Sequence, residues 1–496
     1  MASRKESTIP VQKPPNKKEG YEFGGPLGAA GIIFGLPVLL YSFVFVCNDV
    51  SGCPAPSLLH PSTLAWDALK EEIGWPEEGL AALFDARVTL WVLGYYALCL
   101  AGQVFLPGRV HEGTVLTCGR RLKYKFNSFL FAILLLSGLG VGTYLNGADF
   151  AAWTFIWDNH VQLITANMLV VIALSIFVYA NSFTIPAPGQ PNPDYRELAA
   201  GGHTGNVLYD LFIGRELNPR IKLPIPFVSD VSRTIDIKVL CEMRPGLVGW
   251  VILNLSNIAH QYRVHGYVTD SIVLITAFQG FYVLESLYTE SSILTMIDTI
   301  MDGFGYMLAF GDLVWVPFLY SFQTRYLSIF PAKMGVSGIA FTLAVYGVGY
   351  YIFRSANAQK DRFRRNPDDP RVKHLKYITT KTGSKLLISG WWGVARHINY
   401  FGDWLMSWAF CLPTGVAGYI IEQSLNPATG LVEKRAVQTP EVRGWGMIFT
   451  YFYILYFGTL LVHREARDEE KCRNKYGKDW ERYTSIVKFK IIPGVY

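Results

Sequence analysis

Runs of about twenty apolar residues recur along this chain, and a chain that carries many of them has few folds open to it. Such a run spans roughly 30 Å of hydrocarbon when helical, at ~1.5 Å per residue. No water is present there to satisfy the backbone, so helices are the expected form. The runs fall at residues 28–47, 88–106, 127–146, 160–182, 246–261, 268–289, 303–323, 335–354, 402–422 and 445–463, the fifth being short. Composition agrees, since 51% of residues are apolar and only 17% charged, too few for soluble domains of this length. The reading is an all-α, polytopic membrane protein of about ten transmembrane helices.

The formal charge of +6 does not point to nucleic acid, because Lys and Arg sit in separate loops and form no stripe. They set orientation instead. Residues 48–87 carry Lys70 and Arg87 among seven carboxylates, whereas 108–126 carry Arg109, Arg120, Arg121, Lys123 and Lys125 and no Asp. Cytosolic loops are the basic ones, which places both termini in the cytosol. Loops 183–245 and 355–401 and the tail after His463 fall on that side, while loop 425–444, with Lys434, Arg435 and Arg443, fits less well. Residues 1–24 are polar and lack the short apolar core of a signal peptide, so a disordered cytosolic arm is expected. Seven cysteines show no metal-finger spacing, and only Cys47 and Cys53, close together on the lumenal side, are candidates for a disulfide.

Familiar nucleotide signatures are missing. GLGVG at 138–142 and GGPLGAAG at 24–31 follow no strand of a βαβ unit, which leaves close helix packing as their expected role. The informative residues are polar ones in or beside the apolar runs. Gln279, Tyr282, Ser286 and Thr289 share one helical stripe with Glu285 beside it; they serve either a functional cavity or hydrogen bonds between helices. In the tail, Asp468, Cys472 and Tyr476 recur every four residues, on a functional face or on a salt-bridged solvated helix. Lys360 and Arg364, also four apart, are either ligand cations or snorkelling topology determinants. The stretch Leu386–Leu405, LLISGWWGVARHINYFGDWL, sets Arg396, His397, Asn399 and Tyr400 at a membrane boundary, as anchors or as a ligand site.

Several stretches carry a family resemblance: EFGGPLGA at 22–29, YDLFIGRELNPRI at 209–221, QGFYVLE at 279–285, DGFGYMLAFGDLVWVPFLYSFQTRYL at 302–327, ANAQKDRFR at 356–364, Leu386–Leu405 and HREARDEEKCRNKYGKDWERY at 463–483. In order and over nearly the whole length, the chain resembles the sterol reductases, most closely their delta-14 branch. Relatives include the reductase domain of lamin B receptor and 7-dehydrocholesterol reductase. Two departures are Glu285, where many relatives carry Asp, and an unfamiliar insert near 425–442. The resemblance implies a multi-pass endoplasmic-reticulum enzyme of ergosterol biosynthesis that reduces the sterol C14=C15 bond with NADPH, without metal. It implies three regions: an arm at 1–24, a transmembrane body with a sterol pocket at 25–355, and a C-terminal region at 356–496 whose cofactor pocket faces the cytosol. The family's NADPH pocket maps onto Lys360, Arg364, Leu387, Trp392, Asn399, Tyr400, Asp468, Cys472, Arg473, Asn474, Lys475, Tyr476 and Tyr483.

Such a reaction needs an acid. An isolated carbon–carbon double bond must be protonated before hydride can quench the cation, so a delta-8,14 diene takes its proton at C15 and its hydride at C14, away from water. Tyr282 is the expected donor, with Asp468 and Glu285 holding or recharging its proton, since a phenol of pKa about 10 is a poor acid alone. Asp210, Glu216, Asn218 and Arg220 line the pocket mouth or satisfy one another. Alternatives are reduction of a delta-7 or delta-24(28) sterol bond, or an isoprenylcysteine-type membrane methyltransferase, which would not need the cations Lys360 and Arg364.

Overall fold

In a computed structural model, residues 20–48, 54–425 and 432–496 are described. The expected arm falls mostly outside them, as does Cys53 and with it the proposed disulfide. The chain is mostly helical, and among the described residues six helices are long and apolar enough to cross a membrane: Gly25–Val46, Gly79–Phe105, Ser128–Asp149, His160–Thr184, Asp270–Tyr288 and Gly335–Arg365. The described residues form two compact units, one drawn from 20–268, 276–329 and 420–437, the other from 269–275, 330–419 and 438–496.

In the first unit, helices α1 (Gly25–Val46), α2 (Ala86–Phe105), α3 (Ser128–Asn146) and α4 (His160–Asn181) supply four of the long apolar segments. Asp85 starts α2 by accepting the amides of Arg87 and Val88 at 2.7 and 3.0 Å. The basic loop between α2 and α3 is an antiparallel hairpin of β1 (Arg109–Val115) and β2 (Arg121–Phe126). A second pair, β3 (Arg220–Lys222) and β4 (Thr234–Asp236), precedes α5 (Leu247–His265) and α6 (Asp270–Tyr288). The expected run at 303–323 is a broken rod: a turn of helix at Tyr306–Phe310, a π-helical stretch at Gly311–Leu319 containing Pro317, then α7 (Phe322–Ile329). Proline lacks the amide for a regular ladder, which accounts for the break.

Polar side chains knit this unit together. Gln279 Oε1 accepts from Trp250 Nε1 at 3.0 Å and from Asn254 Nδ2 at 2.7 Å, and Thr324 Oγ1 donates to Asn254 Oδ1 at 2.7 Å. Gln279 therefore belongs to the bonding between helices that the sequence left as one of two readings. In the 209–221 stretch Asp210 and Glu216 are likewise satisfied within the protein, whereas Arg220 keeps a buried Nε without a partner among the described residues. The Asp210 carboxylate accepts from Thr204 and Gly205, Glu216 grips Arg196 through two bonds of 2.8 and 2.6 Å, and Gly214, at φ +91°, lies so close to Gly303–Gly305 that a Cβ would collide with their backbone. Glycine packing at 138–142 is narrower than expected: a Cβ at Gly138 or Gly140 would meet nothing, and only Gly142 lies against a neighbour, Phe150.

The second unit is built on α8 (Gly335–Arg365), β5 (Tyr377–Thr379), β6 (Lys385–Leu387) and α9 (Ile398–Cys411). The predicted span 402–422 is shorter than expected. Its helix stops at Cys411, a 3-10 turn covers Leu412–Thr414, Gly415 takes φ +61°, and Ile420 already opens β7 (Ile420–Leu425) of a first-unit hairpin with β8 (Val432–Val437). Among the described residues, the unfamiliar insert contributes β8 to this pairing. The last run, 445–463, starts in a single turn at Met447–Thr450 and ends inside α10 (Phe452–Tyr476), which is followed by α11 (Lys478–Ile486). Helices α8 and α9 cross at glycines: a Cβ on Gly349 would stand 2.7 Å from the Gly402 carbonyl, and one on Gly402 would stand 2.7 Å from the Gly349 carbonyl. Such small residues let backbones approach where lipid provides no hydrophobic drive.

Candidate functional site

Helix α8, with 31 residues, measures about 46 Å, more than the ~30 Å hydrocarbon layer, so its last turns project beyond it. Those turns carry Lys360 and Arg364. The Lys360 ammonium sits 3.8 Å from the Trp392 ring centre, and Arg364, Asp468 and Cys472 are close enough to act on it electrostatically. Trp392 is fixed by its indole bond to the Ala356 carbonyl (2.8 Å) and by packing with Phe363, Val372, Leu375 and Leu387. In the first turn of α9, Tyr400 stacks on His397 with ring centres 4.9 Å apart. His397 Nε2 lies 3.7 Å from Asp468 Oδ2, and the Cys472 thiol contacts the same oxygen at 3.8 Å.

Electrostatics set the protonation of this cluster. Burial, then Lys360, Arg396 and Lys490, pull the His397 pKa down to about 3, outweighing the single carboxylate 3.7 Å away, so the ring is neutral at physiological pH. Burial and the Asp468 charge push the Cys472 thiol up to about 12, which removes it as a nucleophile. Burial also raises the Tyr483 phenol. The Asn399 Oδ1 atom is buried and has no hydrogen-bond partner among the described residues.

The predicted cofactor residues are not equally placed. Lys360, Leu387, Trp392, Tyr400, Asp468 and Cys472 converge, with Tyr476 and Tyr483 packed beside Cys472 around Trp480. Arg473, Asn474 and Lys475 point to solvent; Arg473 leans on Glu469 at 3.5 Å and Lys475 covers the Tyr476 ring at 4.9 Å. Arg364 is exposed as well. The sequence placed Arg396 at the membrane boundary but not in the cofactor set, and it passed over Glu469; the two support the cluster together. Arg396 is buried, donates to the Val487 carbonyl at 2.8 Å and pairs with Glu469 at 3.3 Å, while Glu469 also accepts from Trp480 Nε1 at 2.9 Å. The signal was adjacency, since Arg396 lies three residues before Asn399 and Glu469 next to Asp468.

The expected acid lies in the first unit. Tyr282 is half-buried on α6 with its ring 6.2 Å from that of Trp250, and Glu285 follows within a turn. Ser286 and Thr289 donate their hydroxyls to the Tyr282 and Glu285 carbonyls of the same helix, so these two members of the stripe serve the backbone.

The Ergosterol biosynthesis ERG4/ERG24 family model matches residues 17–496. Delta(14)-sterol reductase erg24B of Aspergillus fumigatus is 70% identical over 483 residues, 97% of this chain and 93% of that one. Delta(14)-sterol reductase erg24A of the same organism is 67% identical over 500 residues, and Delta(14)-sterol reductase of Neurospora crassa 56% over 499, each covering 100% of both chains.

Proposed function

The chain belongs to the Ergosterol biosynthesis ERG4/ERG24 family, and from that premise we propose that it is a membrane-bound oxidoreductase that reduces the sterol C14=C15 bond. What carries the reading is identity of 67–70% over 97–100% of this chain to relatives named for that reaction. The substrate is a delta-8,14 diene sterol reached from the bilayer. The finer reading is a protein of ten spans in the endoplasmic-reticulum membrane with both termini in the cytosol. Its arm is residues 1–24, its transmembrane body with the sterol pocket 25–355, and its cofactor region 356–496.

NADPH is the proposed reductant, and the second unit's chemistry fits it. Lys360 and Arg364 are cations for its phosphates, Trp392 and Tyr400 offer ring faces, and the buried Asn399 Oδ1 lacks a donor that a carboxamide could supply. Leu387 and Tyr483 wall the pocket, with Asp468, Cys472 and Tyr476 lining it and Arg473, Asn474 and Lys475 at its exposed rim. When bound, the cofactor supplies the hydride delivered to C14.

This chain's own residues supply the proton. The Tyr282 hydroxyl donates it to C15, and Glu285, within a turn on the same helix, restores it, Asp468 being the other candidate for that role. Turnover of a delta-8,14 sterol by purified protein at saturating NADPH tests the assignment. Tyr282→Phe should lose about 10²–10⁴-fold in rate, the usual contribution of general acid catalysis, with NADPH affinity unchanged. Near-normal turnover would remove the tyrosine as donor and leave Glu285 or Asp468. Activity of wild type on a delta-7 or delta-24(28) sterol alone would move the substrate, and saturable binding of S-adenosylmethionine in place of NADPH would favour the methyltransferase reading.

A further inference from the structure

A second polar pocket lies in the first unit, apart from the reductase chemistry. It is bordered by Gln103, Lys123, Lys125, Arg220, Thr234 and Asp236. Gln103 is in the last turn of α2, β2 carries the two lysines, and α3 begins two residues after β2 ends. Both helices are long and apolar enough to cross the bilayer, which sets the pocket at the level of lipid headgroups.

Its charges are oddly arranged. Arg220 and Asp236 face each other directly across the β3–β4 ladder, where opposed side chains start only about 5 Å apart. Nevertheless they form no ion pair among the described residues. Arg220 turns instead to the Lys123 carbonyl at 3.1 Å and toward the Tyr124 ring, leaving its Nε without a partner. Asp236 is 8% exposed; its Oδ1 accepts the Val239 amide at 3.1 Å, and its Oδ2 is buried without a partner. The neighbouring Lys238 does not help, because its ammonium donates to the carbonyls of Leu217, Asp298 and Asp302. Burial accordingly raises the Asp236 pKa despite the cations nearby. The pocket as a whole has room for roughly one water-sized group. A water there would bond to the carboxylate without neutralising it, whereas a primary ammonium of similar size does both.

We propose that this pocket holds an aminophospholipid headgroup, its primary ammonium against Asp236 Oδ2 and its phosphate at Lys123 and Arg220. A trimethylammonium is too bulky for so small a space and has no N–H to donate. A headgroup with phosphate but no amine leaves Asp236 without a counter-charge.

Native mass spectrometry of the full chain, purified in detergent, depleted of lipid and reloaded, tests this. Phosphatidylethanolamine should be retained over phosphatidylcholine and phosphatidylglycerol by roughly tenfold or more, as expected for one charge-assisted hydrogen bond. Asp236→Asn keeps an oxygen for the Val239 amide, so the fold survives, and it should erase that preference. Arg220→Gln should weaken all three lipids alike. Equal retention of the three lipids by wild type, or an unchanged preference in Asp236→Asn, overturns the proposal. Displacement of the lipid by soluble O-phosphoethanolamine at equal concentration assigns the site to an aqueous phosphoamine and overturns the lipid source, whereas resistance to it supports that source.

Discussion

Lys360 and Arg364 separate two kinds of cation. Lys360 is held over Trp392, so Lys360→Ala should weaken NADPH binding by about 1.5–3 kcal/mol, the range for losing a charged hydrogen bond, while Arg364→Ala, at an exposed position, should cost less. Equal, unchanged affinities in a titration would return both residues to the role of topology determinants. His397 makes a pH prediction. Its pKa falls from 6.5 to about 3, so below the unfolded value the unfolded chain takes up a proton that the native ring refuses. That contribution is complete above 6.5 and is lost as pH falls toward 3, so thermal stability should decline on acidification, with His397→Gln showing a shallower slope. Identical slopes would show that the ring charges freely in the folded protein. Arg396→Met removes the buried partner of Glu469, which keeps Trp480 and Arg473, and should destabilise by about 1–3 kcal/mol in denaturation measurements.

At the scale of elements, the crossing of α8 and α9 decides whether Lys360 and Tyr400 belong to one cluster. Gly402→Ala would drive a methyl into the Gly349 carbonyl and the Phe353 amide, each 2.7 Å away, so the helices must separate. Overpacking of this kind costs about 1–3 kcal/mol, and both melting temperature and NADPH affinity should fall. An unaltered Kd would mean that the crossing does not position the site. Much of this was legible in the sequence, because apolar runs and the four-residue spacing of Lys360 with Arg364 and of Asp468 with Cys472 survive as helices α8 and α10. What was not legible has physical causes. The length of α9 is set by Pro413 and a left-handed Gly415, and the break at 311–319 by a π-helical register that hydropathy does not encode. The support beneath the cluster comes from backbone carbonyls such as that of Val487, which leave no side-chain signature.

For the whole molecule, orientation is the statement most open to direct measurement. Cys118, a partly exposed thiol in the β1–β2 turn, should react with a membrane-impermeant maleimide in sealed microsomes if that hairpin faces the cytosol. Protection until detergent is added would invert the topology. One feature of the second unit also fixes an order of events. The backbone amides of Arg396 and His397 bond to the carbonyls of Phe489 and Lys490 at 2.9 and 2.7 Å, partners separated by more than ninety residues of chain. Contacts so distant in sequence close late, after the intervening segments have been synthesised and inserted. A ribosome halted before residue 487 would therefore carry a chain in which the Arg396 and His397 amides still lack these carbonyls, so the cluster around His397 closes only once residues 489 and 490 have been made.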